Sequence, residues 1–198
     1  MSYINDLNDA NTDFSKFHNE LLKHIKGDQI LSIETRDTEL AKLFDQYSGI
    51  DAIQVVNKQL RTVAIRVQWG KAWDTFTIRY RRASGADTEY QKRADAILGD
   101  KGFLYPYLTV QAYLDKRNDA THCLSCCVVK TADLYKYIFA NMPKIQQRKC
   151  PEGNDFLYVD FNDLVNAKIQ VVWFGDNKVA VNQPIQNDDY LLSYGIPA

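Results

Sequence analysis

Three consecutive strand-like runs lie between residues 45 and 93, the second and third alternating apolar and polar side chains with a period of two, and a turn signal closes each run. The first run, IDAIQVV, starts after Ser48-Gly49, a helix stop. Asn57-Lys58 separates it from RTVAIRVQW, which ends at Gly70. The third, WDTFTIRYRR, is broken by Gly85. Alternation over runs this long suits half-buried strands and would scatter the apolar residues around a helix. The centre of the chain is therefore committed to sheet. A hairpin pivoting between Asn57 and Lys58 places Asp51 opposite or nearly opposite Arg66, with Gln68 one pair further on the same face. Ile65, Val67 and Trp69 then share the other face.

Helical spacing frames these strands. Phe14, Phe17, Leu21, Leu22 and Ile25 predict an amphipathic helix over roughly residues 12–26, ended by Gly27. ILSIE is a short apolar stretch that periodicity leaves undecided. Asp37 or Thr38 caps a further helix through ELAKLFDQY, with Leu40, Leu43, Phe44 and Tyr47 on one side. Thr88-Glu89 opens the helix TEYQKRADAIL, and LYPYLTVQAYL reads as a fourth strand. Beyond it follow a strand (HCLSCCVVK), a helix capped by Thr131 (ADLYKYIFAN), a loop over 143–153, and two strands, FLYVDF and IQVVWF. With no repeat and no Pro/Gly/Ser linker, the chain reads as a single domain. Its parts are a helical extension (12–37), a core (38–114) and a C-terminal addition (115–198). A mixed sheet flanked by helices makes the class α/β or α+β.

The 12 Tyr, 9 Phe and 3 Trp among 198 residues suit half-buried sheet faces. No apolar run approaches the roughly 20 residues that cross a bilayer, so no membrane partner is expected. The polar, acidic start MSYINDLNDANTDF is unlike a secretory signal, and a cytoplasmic protein is the expectation. His122, Cys123, Cys126 and Cys127 are zinc-type ligands by residue type. Cys126 and Cys127, however, fall in one strand with side chains on opposite faces, which suits buried free thiols better.

Charge is distributed unevenly. Residues 58–93 carry nine basic and three acidic side chains, whereas the remainder carries 15 basic and 22 acidic. A basic patch on an otherwise acidic chain points to a polyanionic partner. Arg79, Arg81, Arg82, Lys92 and Arg93, with Arg66, are the candidate phosphate contacts, because guanidinium forks match phosphate oxygens. Tyr80 and Trp69 are candidate base-stacking rings.

The order helix–strand–strand–strand–helix–strand from Thr38 to Leu114, with GID at the first strand, resembles the αβββαβ core of the PD-(D/E)XK (restriction-endonuclease-like) nuclease superfamily. The resemblance covers about 75 residues and rests mostly on topology. It implies Glu39, Asp51 and Gln68 as ligands of Mg²⁺ or Mn²⁺, hard ions that take oxygen donors. It also implies a lysine that positions the attacking water, and a metal-dependent phosphodiesterase acting on DNA or RNA. Gly70 stands where that lysine belongs, two residues after Gln68, so Lys71 or Lys92 would have to reach in. The alternative is a nuclease-like fold without catalysis, acting as a nucleic-acid-binding, protein-binding or inhibitor module. A homodimer is compatible with either. No nucleophile elbow and no glycine-rich phosphate loop is present, which sets aside serine hydrolysis and dinucleotide binding.

Overall fold

The computed structural model of the chain describes residues 3–33, 48–99, 104–151, 153–176 and 178–181, with positions 39, 43, 44 and 185. Helices α1 (Tyr3–Ser15) and α2 (His18–Ile25) lead into strands β1 (Gln29–Ser32), β2 (Ala52–Val56), β3 (Gln59–Trp69) and β4 (Thr75–Arg81). Helix α3 (Glu89–Leu98), strands β5 (Leu108–Leu114) and β6 (Cys123–Lys130) and helix α4 (Thr131–Asn141) follow. A 3₁₀ turn (Met142–Lys144) precedes β7 (Gln146–Lys149), β8 (Asp155–Asp160), helix α5 (Phe161–Asn166), β9 (Val171–Gly175) and β10 (Lys178–Val181).

These elements form the expected mixed α/β arrangement, in two sheets. The larger has seven strands in the order β1-β2-β3-β5-β6-β9-β10, and the smaller has three, β4-β8-β7. β3 and β5 run parallel, because β4 and α3 between them make a crossover. The other pairings are antiparallel. The third alternating run therefore leaves the large sheet: β4 pairs with β8, and no ladder joins it to β3. Alternation reports which faces a strand presents, not which strand lies beside it.

Each face of the large sheet has its own core. On the first, Phe14, Leu21 and Ile25 of α1 and α2 pack on Val63, Val110, Ala112, Cys126, Val128 and Phe174. On the second, Tyr113, Cys127, Val129 and Trp173 meet Phe76, Ile78, Leu157 and Val159 of the small sheet, with Leu134, Ile138 and Phe161. Cys126 and Cys127 thus lie in different cores, on opposite faces of β6, and all four cysteines are free thiols.

Several local expectations change. The helix expected over 12–26 is two helices, broken at Lys16-Phe17 where N–H groups bond back to Asp13 and Phe14 carbonyls. That break lets buried Asp13 accept hydrogen bonds from Trp69 Nε1 (3.0 Å), Asn118 N (2.7 Å) and Lys16 Nζ (3.3 Å). ILSIE supplies β1. The loop expected over 143–153 contains β7, whose QQRK sequence has no apolar residue to signal a strand. The helix expected over ELAKLFDQY lies largely outside the described residues. Among the described residues no helix is long and apolar enough to cross a membrane.

Candidate functional site

Alternation along β3 sends Arg66 and Gln68 to the second face of the large sheet. There the parallel register sets Arg66 beside Gln111 and Gln68 beside Tyr113. β4 comes down on this face edge-first: Thr77 N–H donates to Gln111 Oε1 (3.3 Å) and the Tyr113 hydroxyl donates to Thr75 O (2.7 Å). α3 closes one side, where Arg66 Nη2 donates to Glu89 Oε2 at 2.8 Å. A polar site is thereby assembled at the junction of the two sheets from residues far apart in sequence.

The hairpin turns where the sequence indicated, with Asn57 and Lys58 both at positive φ (49° and 65°) and Val56 paired with Gln59. Counting back along that register (Ala52 with Val63), Asp51 falls opposite Ala64, not Arg66. Its Oδ2 accepts from Ile65 N–H at 2.5 Å. Arg66 lies beyond the end of β2, so its carboxylate partner comes from α3 instead.

That partner is positioned by the start of α3. Thr88 caps the helix and Gln91 returns a bond to the Thr88 N–H, a capping box that fixes the first turn. Glu89 then stands one turn before Arg93, at the spacing that brings helix neighbours together. Arg93 Nη1 bonds Glu89 Oε1 at 2.5 Å, and Arg93 Nη2 donates to Gly49 O at 3.1 Å. Burial alone would raise the Glu89 pKa, but the charges of Arg93, Arg66 and Arg79 outweigh it and hold the pKa below its ordinary value. Burial alone would likewise lower the Arg93 pKa; the facing Glu89, then Tyr135 and Asp51, reverse that and raise it. Both groups stay ionised.

One more polar atom faces this cluster. Gln111 is 1 % exposed, and while its Oε1 takes the Thr77 N–H, its Nε2 has no hydrogen-bond partner among the described residues. A buried donor without an acceptor is costly, and one that persists calls for a partner such as a water or an anion.

A resident divalent ion fits these side chains poorly. Among the described residues no group of three or more His, Cys, Asp or Glu side chains is placed to hold an ion. Of the two carboxylates at the junction, Glu89 is ion-paired to Arg66 and Arg93, and Asp51 accepts the Ile65 N–H and lies near the charge of Arg93. Mg²⁺ and Mn²⁺ need several oxygen ligands, and both oxygens of Glu89 are already taken by guanidiniums. Glu39 is exposed.

The remaining candidates divide. Arg81 and Arg82 are exposed at the end of β4, Arg79 is half-buried on it, and Lys92 is half-buried on α3. Lys71 is exposed, its Nζ 4.4 Å from the centre of the Trp73 ring. Arg93, expected as a surface phosphate contact, is 3 % exposed and acts as an internal counter-ion. Trp69 and Tyr80, expected as stacking rings, are engaged in packing: Trp69 donates to Asp13, and Tyr80 meets the Tyr90 ring edge-on at 4.9 Å.

Glu89 and Gln111 are site residues that the sequence does not single out. The Glu89–Arg93 spacing was visible in the sequence; the tertiary position of Gln111 was not. Comparison with family models, with curated proteins and with solved structures finds no match for this chain.

Proposed function

We propose that this protein binds the sugar-phosphate backbone of nucleic acid at the junction of its two sheets, without hydrolysing it. The observation that carries the reading is an excess of donors there: Arg66 and Arg79 are half-buried beside Glu89, whose charge the buried Arg93 already balances, while Gln111 Nε2 lacks an acceptor. An anionic oxygen supplies what such a site lacks, and guanidinium and amide donors are the groups that hold phosphate. Arg81 and Arg82, exposed beside the junction, extend the positive surface and raise the encounter rate. The nuclease-like core that the sequence resembles would then serve as a binding scaffold, with Asp51 holding the β3 backbone through Ile65 N–H.

The test is a titration of labelled single- and double-stranded DNA and RNA, followed by anisotropy at several salt concentrations. Binding that weakens linearly in log–log with salt is expected. Arg81→Gln with Arg82→Gln should reduce both affinity and salt slope. Absence of binding to every nucleic acid by folded protein sinks the reading. Cleavage in Mg²⁺ or Mn²⁺ that Asp51→Ala abolishes would replace it with the hydrolytic one.

A further inference from the structure

The register of the small sheet makes a cross-strand row that runs outward from Arg79, at the junction, to the exposed strand β7. β4 and β7 flank β8, and Arg79, Phe156 and Arg148 lie directly opposite one another across the three strands. Tyr158, two residues on, faces Thr77 and Gln146 in the next row of the same face. Along β8 the opposite face is buried, with Leu157 at 0 % and Val159 at 1 % exposure in the second core. Phe156 and Tyr158 belong to neither core and are half-buried, while Gln146 and Arg148 are exposed. The Arg79 guanidinium carbon lies 5.8 Å from the centre of the Phe156 ring.

Charges on an edge strand such as β7 are a common defence against unwanted strand pairing, and Arg148 needs no more explanation than that. Two aromatic rings on the outward face of the central strand are not explained in that way. Rings alternating with arginines on a sheet surface are how single-stranded nucleic acids are held: bases stack on π-faces and guanidiniums meet the phosphates. A duplex keeps its bases stacked on one another and cannot use the rings.

We propose that this face is a stacking platform for single-stranded nucleic acid. Phe156 and Tyr158 receive successive bases, and Arg148 and Arg79 contact the flanking phosphates. Arg79 joins the platform to the junction, because its charge also acts on Glu89. The proposal rests on the nucleic-acid reading above and narrows it to single strands.

The test is anisotropy with a fluorescein-labelled oligothymidylate of about 12 nucleotides, beside a duplex of equal length. Phe156→Leu keeps apolar bulk and removes the π-face; Arg148→Gln changes an exposed strand edge and leaves the cores untouched. The single strand should bind about tenfold tighter than the duplex, and Phe156→Leu should weaken the single strand alone by roughly tenfold. Arg148→Gln should lower the single-strand salt slope by about 0.7. Equal binding of single strand and duplex, or a Phe156→Leu affinity like wild type, overturns the platform and leaves the junction reading intact. Displacement of the oligonucleotide by polyglutamate as readily as by unlabelled oligothymidylate also overturns it, since charge alone would be read. Binding to neither nucleic acid removes both readings.

Discussion

Arg66 reaches from β3 to Glu89 on α3, with Nη2 and Oε2 2.8 Å apart, and the same carboxylate holds Arg93 on its other oxygen. One side chain thus ties the large sheet to the crossover helix and compensates a guanidinium that is 3 % exposed.

Removing that carboxylate should be severe. Glu89→Ala leaves Arg93 buried without its counter-ion, at a cost of about 3 kcal/mol, read as a fall in the urea midpoint. Arg66→Met should cost less, about 1 kcal/mol, because Glu89 retains Arg93 and the lost guanidinium was partly solvated.

The Glu89 pKa is depressed by folding, so its contribution is complete above the unfolded value near 4.5 and is lost as pH falls towards the folded value. Stability measured by urea titration should therefore decline as pH drops below about 4.5. Glu89→Gln should flatten this decline, while lowering stability at pH 7.

Asp13 is a second buried anchor, holding α1 to Trp69 of β3 and to the Asn118 N–H. Asp13→Ala leaves these donors unmet and should destabilise the fold by about 3 kcal/mol. Near-ultraviolet circular dichroism should change with it, because the Trp69 indole loses its acceptor.

Lys58 sits at φ 65° in the two-residue β2–β3 turn, where a side chain is strained. Lys58→Gly converts the turn to Asn-Gly, the favoured pair for this geometry. It should raise stability by about 0.5–1 kcal/mol in urea denaturation.

Cys123, Cys126 and Cys127 are buried, and burial pushes the Cys126 and Cys127 thiols well above the usual range. A thiol reagent should label only half-buried Cys150 in the native protein, and all four cysteines in urea. Rapid native labelling at Cys126 or Cys127 would contradict the assignment of these residues to the two cores.

The parts of this fold that were legible in advance are those set by local chemistry. Asn57-Lys58 fixed a hairpin, Thr88 fixed the start of α3, and the opposed faces of Cys126 and Cys127 followed from strand geometry. The α/β class followed from the same periodicities. Partnership between strands was not legible: β4 has the alternation of a meander strand, yet its ladder is with β8, some 80 residues away. The candidate site was half legible for the same reason. Arg66, Gln68 and Asp51 share a local hairpin, whereas Gln111 comes from a separate strand. Arg93 was misplaced because a cation in a basic segment looks solvated until its partner is found. Phe156 and Arg148 lie outside that segment, so their row with Arg79 emerged only from the register of the small sheet.

The central claim is that phosphate is held at the sheet junction and not cleaved. The most direct measurement incubates end-labelled single-stranded DNA with wild type and with Asp51→Ala in Mg²⁺ and Mn²⁺, scoring retention on a native gel and strand length on a denaturing one. Retention that salt weakens, with the strand full-length for both proteins, is the predicted result. Strands shortened by wild type and left whole by Asp51→Ala, or no retention by folded protein, would contradict it.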